Sequence, residues 1–449
     1  MNKPKKPSAH DDFVRYAMAS SDEELQIVLE EVVASTTGTL STLPVYDDRE
    51  QFFALPFVIS ATEWTHWRAA SEYLIRCIHR YVSRRYSAEG KPFLLSLGVQ
   101  PEQLELLSLA GPWPSLKHTM ARPDFLQGPN GPLFMEANID SSLGGLGTAD
   151  PLCRIVGQCS TVTRYMGDVS RSTNLIPTFA NQIRDIVGMS TDAKVSMLIV
   201  DWQDEIDEAP WPYAWLARDL EHHGIHATIR SEISFRQNET RDLIYRGTTP
   251  VDKLWKRMNS FNEVWETGGA GVPILSSLWD VVLSSKAVLG EMWCSLEQQE
   301  LDPDDAEFVR THVLWTWPIG KRECVRSGRT LELLDFAVRM RSELVLKSPS
   351  DGSCKNVVIG KYCNDESWIK ALSKATQKMG YILQQYQEPT LRWSVDRTSS
   401  KVSWSNFRCV DSVFVFGGRA SGTCIRGNSI VTPYISCMHG AREGIALAH

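Results

Sequence analysis

The stretch ARPDFLQGPNGPLFMEANID, residues 121–140, constrains the fold more than any other part of this chain. Two short runs that alternate apolar and polar residues flank a turn signal at Gly128 to Gly131, the pattern of a β-hairpin. With Gly128 facing Pro132, Asp124 lies opposite Glu136 and Arg122 opposite Asn138, subject to a one-residue shift if the hairpin carries a bulge. All four polar side chains then share one face. Pro123, Phe125, Leu133, Met135 and Ala137 form the apolar back that packs on a core.

Two carboxylates directly across a strand pair repel each other unless a positive charge sits between them. A divalent cation is one answer, and carboxylate oxygens with an Asn carbonyl are hard ligands suited to Mg²⁺ or Mn²⁺. Arg122 neutralising both acids in an ordinary salt-bridge network is the other, and the residues alone leave both open. His222, His223 and His226 stand around Gly224 at the end of an amphipathic run, a usual place for histidine at a helix C-terminus.

The chain has 449 residues, enough for two or three cores or one multi-lobed enzyme. Its formal charge is −7 and its 47 basic residues are scattered, which favours a small-molecule partner over nucleic acid. No stretch approaches the ~18 apolar residues of a membrane span, no apolar run follows the basic start, and the cysteines form no CxxC pair; the expectation is a soluble, cytoplasmic protein with reduced thiols.

SDEELQIVLEEVVAS and SATEWTHWRAASEYLIRCIHRYVSRRY read as helices. VSMLIV, YAWLARDLEHHG and IHATI spell a strand-helix-strand unit. ELVLKSP, the polar loop SDGSCKN, VVIG, the helical DESWIKALSKATQKMG and YILQQYQEP make an α+β lobe. DSVFVFGGRASGTCIRG reads as a second hairpin, turning at Gly417 and Gly418. Lys347 ends an apolar strand just before a loop whose N–H groups suit phosphate oxygens, or is an ordinary solvated strand end; Gln384, Gln385 and Tyr386 form either a segment fit to read the edge of a purine or an amphipathic edge strand. P-loop, Rossmann and protein-kinase signatures are missing, and GRASG lacks the spacing of a nucleophile elbow.

Taken together, RPDF, FMEAN, SSKAVL, ELVLKSP with SDGSCKN, YILQQYQEP and GGRASGTCIRG resemble the ATP-grasp ligases in their circularly permuted, glutathionylspermidine synthetase-like branch, because the D…E-x-N segment precedes the lysine strand. The resemblance implies an α+β fold whose lobes clasp ATP between two sheets. It implies Mg²⁺, with Mn²⁺ as a substitute, on Asp124, Glu136 and Asn138, and phosphates on Lys286, Lys347 and the loop around Ser353. It further implies an adenine pocket lined by Gln384, Gln385, Tyr386 and Gln387. Arg426, and less directly Arg122 or Arg419, would steady an acyl phosphate.

The implied reaction joins a small carboxylic acid to an amine or amino acid, with release of ADP and phosphate; a small-molecule kinase and a non-catalytic nucleotide binder are the alternatives. The expected organisation is a helical region over 1–110, a metal-binding hairpin and core over 111–190, a Rossmann-like substrate-side unit over 191–280, an ATP-binding lid over 281–389 and a core hairpin over 390–449. The sequence departs from the family pattern in the phosphate loop, which has the single glycine Gly352, in the lack of an Asn before Lys286, and in NSIVTPYISCMHG, which has no glycine pair.

Overall fold

The computed structural model describes residues 8–19, 52–53, 55–108, 113–157, 159–167, 175–208, 210–239, 241–247, 261–269, 271–352, 354–396 and 403–449. The helix expected over SDEELQIVLEEVVAS lies outside the described residues. The fold is a mixed α+β arrangement in which three sheets of four or more strands carry the structure.

β1 (Phe57–Ile59) leads into the long helix Ala61–Glu89. Ser60 caps that helix reciprocally: its hydroxyl accepts from the Glu63 amide while the Glu63 carboxylate accepts from the Ser60 amide. The helix lays Trp67 edge-on against Phe125, 5.1 Å between ring centroids, and so covers the back of the hairpin β2 (Met120–Gly128) and β3 (Gly131–Ile139).

The hairpin register differs from the expectation in one respect. Gly128 faces Gly131, not Pro132, and a bulge opposite the Asp124–Phe125 step restores the pairs Asp124–Glu136 and Arg122–Asn138. The inserted residue, Met135, reverses the alternation beyond it. Phe134 therefore takes the core face, fully buried 5.5 Å from Phe125, while Leu133 and Met135, expected on the apolar back, are only half-buried.

β4 (Val195–Asp201), β5 (Ile225–Ser231), β6 (Leu243–Arg246) and β7 (Ile274–Leu275) form a parallel sheet in the order β5-β4-β6-β7. The crossover between β4 and β5 contains the helix Trp211–Glu221, as the strand-helix-strand pattern requires. β4 reads as a nearly continuous apolar run because helices cover both faces of such a sheet.

β8 (Thr316–Pro318), the small hairpin β9 (Glu323–Arg326) and β10 (Arg329–Glu332), then β11 (Leu344–Lys347), β12 (Val358–Ile359) and β13 (Ile382–Gln385) build a separate lobe. Its antiparallel sheet runs β12-β11-β13-β8. The helix Asp365–Thr376, capped by Asn364, packs on this lobe through the buried Trp368, whose indole N–H donates to Ala337 O at 2.9 Å.

β14 (Thr390–Asp396), β15 (Ser403–Phe416), β16 (Arg419–Ser429), β17 (Arg442–Gly444) and β18 (Ala446–Ala448) complete the chain. β15 and β16 turn at Gly417 and Gly418, φ 57° and 80°, the left-handed pair that a tight two-residue hairpin needs. β15 is long enough to pair with β14 along its first half and with β2 along its second, giving a sheet in the order β17-β16-β15-β2-β3. β18 pairs with β1 and so brings the last strand beside the start of the long helix.

Candidate functional site

The polar face of the large sheet and the inner face of the β8–β13 lobe face each other across an open cleft. Strand pairing fixes its floor. Glu136 lies opposite Asp124, Asp124 opposite Ser412, and Arg426 opposite Val410, so side chains from β3, β2, β15 and β16 share one face.

Asp124 is 1% exposed and is surrounded by donors. Its Oδ1 accepts from Arg122 Nε at 3.0 Å and Ser412 Oγ at 2.7 Å. Its Oδ2 accepts from Arg122 Nη2 at 3.3 Å, from Asn138 Nδ2 at 3.1 Å and from Arg426 Nη2. Burial alone would raise this carboxyl, but Arg122 and Arg426, with Ser412, hold it well below the usual carboxylate range. Glu136 is the freer acid, 21% exposed at the side chain, with Lys286 Nζ 3.7 Å from its carboxylate.

The roof supplies two buried lysines. Lys347, at the end of β11, is 5% exposed, and its ammonium makes one hydrogen bond among the described residues, to Met135 O at 3.5 Å. Burial pulls this amine below the usual lysine range; Glu136 opposes the shift and Lys286 reinforces it. Met135 O also accepts from Gln384 Nε2 at 3.0 Å. The bulge that takes Met135 out of the ladder thus turns its carbonyl toward the lobe and couples the hairpin to β11 and β13.

Lys286 reaches the same space from the start of the helix Ala287–Glu297, donating to Asp351 O at 2.8 Å. The loop after β11 is gathered around the Asp351 carboxylate, which accepts from Ser348 Oγ at 2.5 Å and Asn356 Nδ2 at 2.7 Å. Cys354 and Asn356 adopt left-handed φ of 60° and 53° in a stretch where glycine would carry no strain. Ser353 lies outside the described residues.

At the far end the chain leaves β13, and Gln384, Gln385, Tyr386 and Gln387 all line the cleft. The Gln384 amide is spent on Met135 O and Thr316 Oγ1, and so holds three strands together. Tyr386 N donates to Glu343 O at 2.7 Å, which fixes where the strand departs from the sheet, while the Tyr386 hydroxyl donates to Glu388 at 2.9 Å. Tyr434 and Ile435, from the connection between β16 and β17, close one side, and Tyr434 Oη donates to Val357 O at 3.4 Å.

Most of the expected site residues meet in this one cleft, with exceptions. Arg419 is a correction: it sits at the tip of the β15–β16 turn, 64% exposed at its side chain and paired with Asp185 at 3.1 Å, because the turn points away from the polar face. Arg122 reaches the cleft through Asp124 and otherwise donates to Gly144 O. Asn138 donates its amide N–H to Arg122 O and Asp124 and does not itself line the cleft. His222 caps the end of the helix Trp211–Glu221 and His226 lies on β5, where they meet Arg218 O and Glu221. Ser412, Met135 and Tyr434 escaped the reading of the sequence. The first two are placed by register and by a bulge, and neither leaves a composition signal.

Among the described residues no group of three or more His, Cys, Asp and Glu gathers as a metal cluster. The oxygens that suit a hard dication are the Glu136 carboxylate and Asn138 Oδ1, a small set that bound phosphates would complete. Among the described residues, too, no helix is long and apolar enough to cross a membrane.

No protein-family model matches the sequence, and no curated protein does. The structure is similar to that of a glutathione synthetase-like effector, GSS30, from Globodera pallida, in its apo form. The TM-score is 0.60 at 12% sequence identity, over 94% of this chain and 97% of that one. At that identity the likeness is one of fold: the chain has a glutathione synthetase-like α+β fold along nearly its whole length.

Proposed function

We propose that the chain is a circularly permuted ATP-grasp enzyme, an ADP-forming carbon–nitrogen ligase that joins a carboxylic acid to an amine. The observation that carries this reading is the pair of lysines buried in one cleft. An ammonium has three N–H donors, and among the described residues Lys347 makes one hydrogen bond, at 3.5 Å, while 5% exposed. A buried cation so poorly met calls for an anion. A triphosphate laid along Lys347, Lys286 and the 350–356 loop supplies it, with the purine against Gln385, Tyr386 and Gln387.

On this reading residues 111–190 and 390–449 form the core, 281–389 the lid, 191–280 the substrate side and 1–110 a helical scaffold. The permutation is the order in which the hairpin carrying Glu136 precedes the lysine strand carrying Lys347. Glu136 and Asn138 would hold Mg²⁺ or Mn²⁺, which when bound neutralises phosphate charge. Arg426 and Arg122 present fixed positive charge beside that position. An acid oxygen there attacks the γ-phosphorus and ADP leaves; the amine nitrogen then attacks the acyl carbon, phosphate leaves, and the amine gives up its proton. Charge that grows on the transferred phosphoryl group is met by guanidinium groups already in place, which is where the rate gain lies.

The test is ADP release over pooled acids and pooled amines with Mg²⁺. Release that requires both an acid and an amine supports the ligase. Release with a hydroxyl compound and no amine makes the protein a kinase. ATP binding without turnover under any pairing makes it a nucleotide binder.

A further inference from the structure

We infer that Asp124 is the anchor of Arg122 and Arg426, a positioning residue, and that the metal is left to Glu136 and Asn138. This rests on the ligase reading for the metal and the phosphate, and on the geometry alone for the anchor.

A carboxylate offers about four lone-pair sites. Asp124 receives five donor atoms from four side chains: two from Arg122 and one each from Ser412, Asn138 and Arg426. They come from four different strands, β2, β15, β3 and β16, so the cage is set by sheet register rather than by a mobile loop. For Asp124 to ligate a dication, at least one of these donors must leave. The two charged ones cannot do so cheaply. Arg122 is 4% exposed, and a buried guanidinium stripped of its carboxylate keeps its desolvation penalty. A dication drawn to Asp124 would also approach two guanidinium groups of its own sign.

Glu136 is different in each of these respects. It is the more exposed acid, it bears no hydrogen bond from either arginine among the described residues, and its neighbour is Lys286 at 3.7 Å. The two cross-strand carboxylates have therefore divided the work: one is neutralised by arginines and fixes them, and the other stays open to the cleft. An arginine held by a buried acid across β15 is pre-aimed, so little reorganisation remains when the phosphoryl group arrives.

Asp124→Asn and Glu136→Gln, compared with wild type in the full chain, separate the roles through two readouts besides turnover. The first is melting temperature without metal. Asp124→Asn takes the carboxylate from the buried Arg122 and from Arg426 and lowers it by roughly 3–5 °C or more, whereas Glu136→Gln, which alters a partly exposed acid, changes it less. The second is Mn²⁺ binding by electron paramagnetic resonance in the presence of a non-hydrolysable ATP analogue. Glu136→Gln weakens Mn²⁺ by roughly tenfold or more, and Asp124→Asn keeps it within about threefold of wild type.

A metal-free melting temperature that Asp124→Asn leaves unchanged or raises overturns the anchor. So does a loss of Mn²⁺ affinity as large as that of Glu136→Gln. If Asp124→Asn does not fold, wild-type crystals soaked with Mn²⁺ and the analogue decide. An anomalous peak on Glu136 and Asn138, with Asp124 still on Arg426, supports the inference, and an Asp124 oxygen in the coordination shell ends it. If wild type binds neither Mn²⁺ nor the analogue, the ligase reading fails while the melting temperatures still decide the anchor.

Discussion

Lys347 is the residue at which burial and function conflict most openly. It is buried, its amine is pulled below the ordinary range, and among the described residues it gains one long hydrogen bond in return. Lys347→Met removes the charge that burial penalises while keeping the stem that packs. The fold is expected to be as stable as wild type or more so, and ATP affinity to fall by roughly 10- to 100-fold, the value of a charge-assisted contact to phosphate. Calorimetric titration with ATP, alongside thermal melts, checks both halves; unchanged affinity returns Lys347 to the role of a solvated strand end. Glu136→Gln is the companion case, expected to keep the fold and to cost on the order of 10²-fold in kcat with Mg²⁺ present, read from steady-state ADP release. The sequence made both residues visible, since an acid and a lysine stand inside apolar runs. It did not separate Asp124 from Glu136, because their difference lies in what β15 and β16 bring to Asp124 from 288 and 302 positions away.

Among the elements, the two hairpins were the most readable, for each is punctuated by glycines between alternating runs. The bulge at Met135 was not, because a one-residue insertion changes which face later residues occupy without changing the composition of the run. That single residue moves Phe134 into the core and frees a carbonyl for Lys347 and Gln384. β14 and β15 show a second point that pattern cannot give. Arg392 on β14 grips Asp411 on β15 with both terminal nitrogens, and Asp411, 0% exposed, has Gln127 as a further partner at 2.6 Å. Arg392→Met leaves that acid buried with its amide partner alone, and is expected to destabilise the protein by about 3–5 kcal/mol. Chemical denaturation at pH 7 measures it; a change under about 1 kcal/mol would mean that the sheet relaxes to let water reach Asp411.

At the scale of the whole molecule, two buried histidines fasten the N-terminal part to the sheets. His10 bridges the Val58 amide and Trp393 O, and His79 meets Thr119 Oγ1 just before β2. Burial lowers both imidazoles to about 4; Trp393 O opposes the shift at His10, and His118 adds to it at His79. The unfolded chain therefore binds protons near pH 6.5 that the folded chain refuses. The stability that neutral histidine confers is complete above about pH 6.5 and is lost as the pH falls toward about 4, on the order of 3 kcal/mol for each. Denaturation curves at pH 7 and pH 5 are expected to show this loss, and His79→Gln to shrink it; equal stability at the two pH values would contradict the assignment. The order of the segments, hairpin before lysine strand, was readable in the chain, as was the α+β character. The cleft itself was not, because it is assembled from strands whose pairing across hundreds of residues leaves no local trace.

If an acid is activated in that cleft by phosphoryl transfer, the oxygen that the acid loses ends on phosphate. Once the screen has named an acid and an amine, the acid is prepared with ¹⁸O in its carboxylate and turned over with ATP and Mg²⁺, and the released phosphate is analysed by mass spectrometry. One ¹⁸O atom per phosphate is the predicted result, since the carboxylate oxygen that attacks phosphorus departs with it when the amine arrives. Phosphate free of the label, alongside amide product, would exclude an acyl phosphate on the path to the amide.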